Sequence, residues 1–188
     1  MSDIVELHRR AVEWFGSNVA KTGDDQWGLP TPCADWDVRA LVNHLVSEDL
    51  WMPPLMDGKT IAEVGDVYDG DVLGADPKGA WSSASAAALS SAAPDGAMER
   101  TVHLSFGDFP ASEYTYQLFA DHLIHGWDLA RGIGADETMD PELVEACARW
   151  FAAMEEAYRA GGAIADHVPT AEDADAQTKL LAAFGRQG

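Results

Sequence analysis

The sequence predicts a mainly α-helical protein, an antiparallel bundle of long helices with extra short helices and at most a short strand segment. Three observations carry that expectation. Apolar residues recur at helical spacing in several stretches of about 15 to 20 residues, these stretches end at proline or glycine, and only one short run alternates with strand periodicity. The chain has 188 residues, 47% hydrophobic content, 7 Trp and 6 Phe, enough apolar bulk for a full-sized core. With no internal repeat and no interdomain linker, residues 1–188 read as a single domain.

The first helix is expected to be capped by Ser2 and to run to about Thr22, with Ile4, Ala11, Phe15 and Val19 along one face. Leu29-Pro30-Thr31-Pro32 is extended, because each proline disfavours helix at the residue before it. A second helix starts near Asp35 or Asp37 and runs through Leu41, Val42, Leu45 and Met52 until Pro53-Pro54 stops it. Residues 57–76, rich in Gly and Asp, read as a loop with at most a short helix. Asp76-Pro77 is a cap followed by proline at the first helical position, opening an Ala/Ser helix that Pro94-Asp95-Gly96 ends. Val102, Leu104 and Phe106 alternate with polar residues, which predicts one short strand. A long helix follows from about Ser112 to Arg131, ended by Gly132 and Gly134. Asp140-Pro141 opens another, with a stripe of Leu143, Val144, Cys147, Trp150, Phe151 and Met154, closed by Gly161-Gly162. Thr170 and Asp173 resemble a capping box before a last helix with Leu180, Leu181 and Phe184.

Charge narrows the partners. Against 12 Lys+Arg stand 32 Asp+Glu, a formal net charge of −20, which repels phosphate backbones and anionic lipid alike. Neither nucleic acid nor a membrane is an expected partner. No run approaches the roughly 20 apolar residues of a membrane helix, and the charged opening MSDIVELHRR does not read as an export signal. Two cysteines make no disulfide framework and are expected as reduced thiols. Together these features point to the cytoplasm, with monomer and homodimer both left open.

The most informative segment is Asp121-His122-Leu123-Ile124-His125-Gly126-Trp127-Asp128-Leu129-Ala130-Arg131. Asp121 and His125 are four residues apart, so on a helix they project from one face about 6 Å apart and can take two positions of a tetrahedral metal. Taken alone, such a pair is more often a solvated helix surface. His44 sits among apolar neighbours on the second helix, where a core histidine bonded to a carbonyl is the commoner outcome. Yet His on one helix and Asp-x-x-x-His on another is how bundle interiors hold metals. His122 points about 100° away from Asp121 and is a poor ligand substitute. His8 could approach the bundle interior, although a surface or capping role is the commoner outcome, and His103 and His167 read as structural. Cys33 precedes a helix N-terminus that favours thiolate, but it lacks a convincing base, and Cys147 reads as packing. Arg39 or Arg131 is a candidate partner for Asp128. Trp36, Trp51 and Trp127 lie close in sequence to the ligand candidates, as pocket lining or as core packing.

Two motifs in combination carry a family resemblance. Thr31-Pro32-Cys33-Ala34-Asp35-Trp36-Asp37-Val38-Arg39 leading into Leu41-Val42-x-His44-Leu45, then His125 through Arg131, resemble the DinB-like metal-binding superfamily, in its branch related to mycothiol-dependent maleylpyruvate isomerase. The ending from Val168-Pro169 through Arg186 resembles short members of that branch. The resemblance implies a DinB-like up-down-down-up four-helix bundle holding a divalent metal, in most cases zinc, on His44, Asp121 and His125. It also carries a departure: the isomerase places Glu, and many relatives His, at the position matched by Asp121. Asp is one methylene shorter than Glu, so the metal would sit nearer that helix or be held more weakly.

Three protein ligands leave a position open, the arrangement of a catalytic zinc. The resemblance implies that a low-molecular-weight thiol such as mycothiol occupies it and attacks a small electrophile, making the protein a thiol-dependent transferase or isomerase. A metal-dependent hydrolase and a non-catalytic metal- or small-ligand-binding protein remain the alternatives. Two neutral histidines, one Asp and a divalent ion sum to +1, a local exception to the acidic chain.

Overall fold

Asp3 opens the first helix, α1 (Ile4–Lys21), where its carboxylate accepts from the Val5 N–H at 3.5 Å. This computed structural model describes residues 3–160 and 164–187, so the expected cap at Ser2 and the expected stop at Gly161-Gly162 lie outside the described residues. The chain divides into two compact units, one ending at Asp136 and one beginning at Glu137.

In the first unit, the buried face of α1 is Ile4, Leu7, Ala11, Val12, Phe15 and Val19, and His8 falls on the same stripe. Helix α2 (Val38–Met56) is capped by Asp37, whose carboxylate accepts from the Ala40 N–H at 2.8 Å. Pro53-Pro54 do not stop it. They withhold two helical N–H donors, but the last turn carries Leu55 and Met56, each 2% exposed, and their burial holds the helix to Met56. A single-turn helix, α3 (Ile61–Val64), starts at a complete Thr60/Glu63 capping box. Helix α4 (Pro77–Ala92) begins as expected, with Asp76 accepting from the Gly79 N–H at 3.0 Å and Pro77 in the first turn. A 3₁₀ turn (Ala97–Glu99) follows.

The alternating run forms a two-stranded antiparallel hairpin rather than a lone strand: β1 (Thr101–Leu104) pairs with β2 (Gly107–Pro110), Val102 opposite Phe109. Phe106 leaves the alternation because it occupies the turn, where it is 61% exposed. Helix α5 (Ala111–Ile133) ends at Gly134, whose φ of 70° is the left-handed cap position. Gly132 is helical, and its role is close approach. A Cβ there would meet the Pro30 carbonyl, Thr31 and Val38 at 3.3 Å.

Cross-helix contacts fix the directions. Lys78, opening α4, donates to the Ala20 carbonyl near the end of α1 at 2.9 Å, so α4 runs opposite to α1. Asn18 donates to the Gly126 carbonyl at 3.3 Å and Gln26 to the Ile133 carbonyl at 2.9 Å, so α5 runs with α1. The start of α2 meets the end of α5 at Gly132, so α2 runs opposite to α5. The bundle of α1, α2, α4 and α5 is therefore up-down-down-up, with α1 against α4 and α5, and α2 against α4 and α5. Its interior is filled by Phe15, Leu41, Leu45 and Trp81 in one cluster, and by Met52, Leu55, Val102 and Leu118 in another.

Because α2 and α4 run the same way, the chain between them must return along the bundle. That connection is clasped to α2 at three successive turns. Arg39 donates to Asp71 at 2.9 Å and to the Gly74 carbonyl at 2.9 Å, Asn43 to the Gly70 carbonyl at 2.9 Å, and Ser47 to the Tyr68 carbonyl at 3.1 Å.

The second unit holds α6 (Pro141–Ala160) and α7 (Ala176–Ala183). Leu143, Val144, Cys147 and Phe151 are buried, and the Phe151 and Phe184 rings lie 4.2 Å apart. The cap of α7 is Asp175, accepting from the Thr178 N–H at 2.8 Å, not Thr170 with Asp173. A turn closed by the Ala174 N–H on the Ala171 carbonyl intervenes before the helix begins. No helix among the described residues is long and apolar enough to cross a membrane.

Candidate metal centre

The bundle brings His44, Asp121 and His125 together. α2 supplies His44 and α5 supplies the other two, one helical turn apart. His44 Nε2 lies 3.0 Å from Asp121 Oδ2, and His125 Nε2 lies 3.3 Å from Asp121 Oδ1. His44 and Asp121 are partly exposed (27% and 29%), whereas the His125 side chain is 9% exposed.

Asp128, one turn further along α5 and fully buried, fixes the His125 ring: its Oδ2 lies 2.9 Å from His125 Nδ1. A carboxylate only accepts, so Nδ1 carries a hydrogen toward Asp128, and Nε2, facing Asp121, is the nitrogen a metal would take in place of its proton. Burial works against the Asp121 charge, but His44 and His125 outweigh it and hold the carboxyl well below its ordinary value. Burial likewise disfavours the His125 cation. The Asp121 charge and the bonds to Asp121, Asp128 and Cys33 overcome this and raise it well above the ordinary imidazole range.

Of the two arginines expected as partners for Asp128, Arg39 does not take that place. Arg39 is taken up by Asp71, and Asp128 holds His125 and the Cys33 thiol, which donates to Oδ2 at 3.3 Å. Cys33 also lies 3.7 Å from His125 Nδ1, and Asp128 is the basic neighbour that its sequence surroundings do not supply. The Trp36 ring lies 4.7 Å from the His44 ring and 5.5 Å from the His125 ring, covering both. Beside His44 opens a cavity of about 590 Å³, walled by Arg39 and Asn43 of α2 and by residues 68–71 of the clasped connection. Glu48, one turn beyond His44, was not singled out from sequence. Burial and the Asp121 charge raise its carboxyl above the ordinary range.

Residues 8–130 match the model of the mycothiol maleylpyruvate isomerase N-terminal domain. The chain belongs to this family. Two uncharacterised proteins of Mycobacterium tuberculosis, from strains CDC 1551 / Oshkosh and ATCC 25618 / H37Rv, are 31% identical to it over 98% of both chains. Crystal structures of the mycothiol-dependent maleylpyruvate isomerase and of its histidine-to-alanine mutant share the fold. They superpose with a TM-score of 0.62 at 17% and 16% identity, covering 82% of this chain and 72% of the other.

In this family member other candidates fall elsewhere. His122 points away from Asp121, as its helical position requires, and is buried with His8 and Asp49, each 0% exposed. The surface reading of His8 is thereby corrected: α1 packs along α5, and the stripe of Ile4, Ala11 and Phe15 carries His8 inward with it. Asp49 escaped notice in the sequence. Burial pulls the His122 cation down, but the Asp49 charge and contact prevail and raise it. His103 pairs with Asp108 across the hairpin at 2.8 Å, and His167 is exposed. Cys147 is buried, which pushes its thiol up, in keeping with packing. Trp127 is 1% exposed, beneath the Arg131 guanidinium at 4.3 Å, and Trp51 meets Tyr68 edge-on at 5.8 Å. Of the three tryptophans, Trp36 is the one at the centre.

Proposed function

We propose that this protein is a divalent-metal-dependent enzyme, with zinc the metal, that uses a low-molecular-weight thiol to transfer to or isomerise a small electrophile. Membership in the mycothiol maleylpyruvate isomerase N-terminal domain family supports the thiol. The observation that carries the metal is the inward-facing donor set: two imidazole nitrogens meet the two oxygens of one carboxylate at 3.0 and 3.3 Å. The two rings stand 5.4 Å apart, and rings bound through nitrogen at about 2.05 Å to one tetrahedral ion would stand about 5.2 Å apart. His44, Asp121 and His125 would hold the ion, and the shorter Asp reaches both histidines. Bound there, a divalent ion lowers the pKa of a small thiol and favours its thiolate at neutral pH.

The chain's own residues do the rest. Asp128 fixes which His125 nitrogen faces inward. Trp36 covers the two rings and excludes water from one side. The cavity beside His44 admits a small molecule. Glu48, 4.0 Å from His44 Nδ1 and with its carboxyl raised above the ordinary range by burial and the Asp121 charge, is placed to pass a proton beside the site.

Purification without added metal, followed by metal analysis, tests the first step: about one equivalent of divalent metal that depends on His44 is expected. Incubation with mycothiol and a panel of electrophiles then follows thiol loss. Thiol consumption that disappears in His44→Ala and His125→Ala is the expected result. Retention of this metal in His44→Ala, or ester cleavage with no thiol requirement, would overturn the reading.

A further inference from the structure

A second polar cluster lies inside the bundle and is used by nothing described so far. His8 of α1, Asp49 of α2 and His122 of α5 are each 0% exposed, and one donor atom of each lies within 4.8 Å of the others. We propose that this triad binds a second divalent cation, distinct from the one assigned to His44, Asp121 and His125, in a closed site that ties three helices together.

The unmet polar atoms come first. Both nitrogens of His8, both carboxylate oxygens of Asp49 and Nε2 of His122 are buried without a hydrogen-bond partner. Buried polar groups in folded proteins are satisfied almost without exception, so this cluster of unmet atoms points to a partner held among the three side chains. His122 narrows its identity. Its Nδ1 lies 2.7 Å from the Leu118 carbonyl, which can only accept, so Nδ1 carries the hydrogen. Nε2 of the neutral ring is then a bare lone pair 3.3 Å from Asp49 Oδ1. Two acceptors at that distance repel unless positive charge lies between them. A ring N–H held by a backbone carbonyl is also how ligating histidines are oriented.

Spacing agrees with a common ion. The His8 and His122 ring centroids are 5.3 Å apart, against about 5.2 Å for two rings on one tetrahedral zinc. Asp49 supplies the third protein donor, and an enclosed water would complete the four donors. Phe15 and Trp81 pack their rings against His122 at 6.0 and 5.7 Å, giving the site an apolar shell in which an uncompensated carboxylate would be costly. A lone imidazolium on His122 would answer Asp49 but would leave both His8 nitrogens unmet, where a metal ion would take one of them. A site so enclosed has no path for exchange in the folded state, so its metal enters as the chain folds.

The test uses the full chain, unfolded with chelator and refolded with zinc sulfate or without metal. Wild type refolded with zinc is expected to hold two equivalents: one removed by EDTA within minutes, and one released only at the rate of unfolding. The double variant His44→Ala/His125→Ala should keep the slow equivalent and melt at a higher temperature when refolded with zinc. Refolded with cobalt(II), it should show the visible absorption of four-coordinate tetrahedral metal. His8→Gln/Asp49→Asn should keep only the fast equivalent; should that variant not fold, the metal content of the first variant still decides. Absence of bound metal from refolded His44→Ala/His125→Ala, with one melting temperature in both conditions, would overturn the proposal in favour of an imidazolium–carboxylate pair.

Discussion

Replacing Asp128 by Asn removes a charge from behind His125 while keeping the volume. The carboxylate is fully buried, and its Oδ2 lies 2.9 Å from His125 Nδ1 and 3.3 Å from the Cys33 thiol. An amide oxygen can still accept from Nδ1, but hydrogen bonds to an ionised partner are about twice as strong as neutral ones. The variant therefore loses ring orientation and ligand basicity, not packing. Outer-shell changes of this kind weaken metal binding about 10- to 100-fold, which is about 1.4 to 2.8 kcal/mol. The assay is zinc competition against a fluorescent chelator at neutral pH, wild type beside Asp128→Asn. A parallel melt follows the zinc-dependent gain in stability, which should shrink by the same energy, about 3 to 11 °C in a chain of this length. The metal-free variant should keep the wild-type helical circular dichroism. Zinc affinity within about twofold of wild type would refute the assigned orienting role of Asp128.

Gly126 sits where α1 crosses α5, and a Cβ there would stand 2.5 Å from Trp14 Cζ3 and 2.7 Å from Cε3. Overpacking by about 1–3 kcal/mol exceeds the gain of about 1 kcal/mol for Ala over Gly in a helix, so Gly126→Ala should melt several degrees lower, and an unchanged or higher melting temperature refutes the close contact. Asp71 gives a pH expectation: its carboxyl is held below the ordinary value by Arg39 and by the Leu73 N–H. A depressed folded pKa stabilises fully above the unfolded value of about 3.9 and is lost as pH falls through the lower folded one. The clasp on residues 68–74 should therefore hold at pH 5 (roughly one unit above that unfolded value) and loosen at lower pH, seen as lower amide protection, relative to the intrinsic exchange rate at each pH, at Leu73 and Gly74. Equal protection at both pH values would contradict it.

Features with a local cause were legible in the sequence. Asp37, Asp76-Pro77 and Gly134 mark helix ends because caps and stops act through neighbouring backbone. His44, Asp121 and His125 were singled out because family resemblance linked residues that spacing alone could not join. Features decided by distant partners were less legible. Pro53-Pro54 should end a helix on local grounds, and only the burial of Leu55 and Met56 carries it onward. Cys33 lacked a base because Asp128 is 95 residues away. Arg39 found its carboxylate 32 residues downstream, in a loop with no periodic signal. His8 was the avoidable miss, since it shares the stripe of Ile4, Ala11 and Phe15. Asp49 was not avoidable, because a carboxylate beside Glu48 reads as helix surface until the partners packed around it are known.

The up-down-down-up path also separates what holds the bundle from what shapes its cavity. Two neighbouring helices that run the same way oblige the chain to travel back about 24 Å, the length of a 16-residue helix. The 20 residues at 57–76 could extend to about 66 Å, so the return leg has slack. That slack is folded into the wall beside His44 and pinned by Arg39, Asn43 and Ser47. Insertions, deletions or exchanges within 66–72 can therefore remodel what the cavity admits while leaving the four long helices and their buried side chains in place. The return strap is a modular element laid along the four-helix frame.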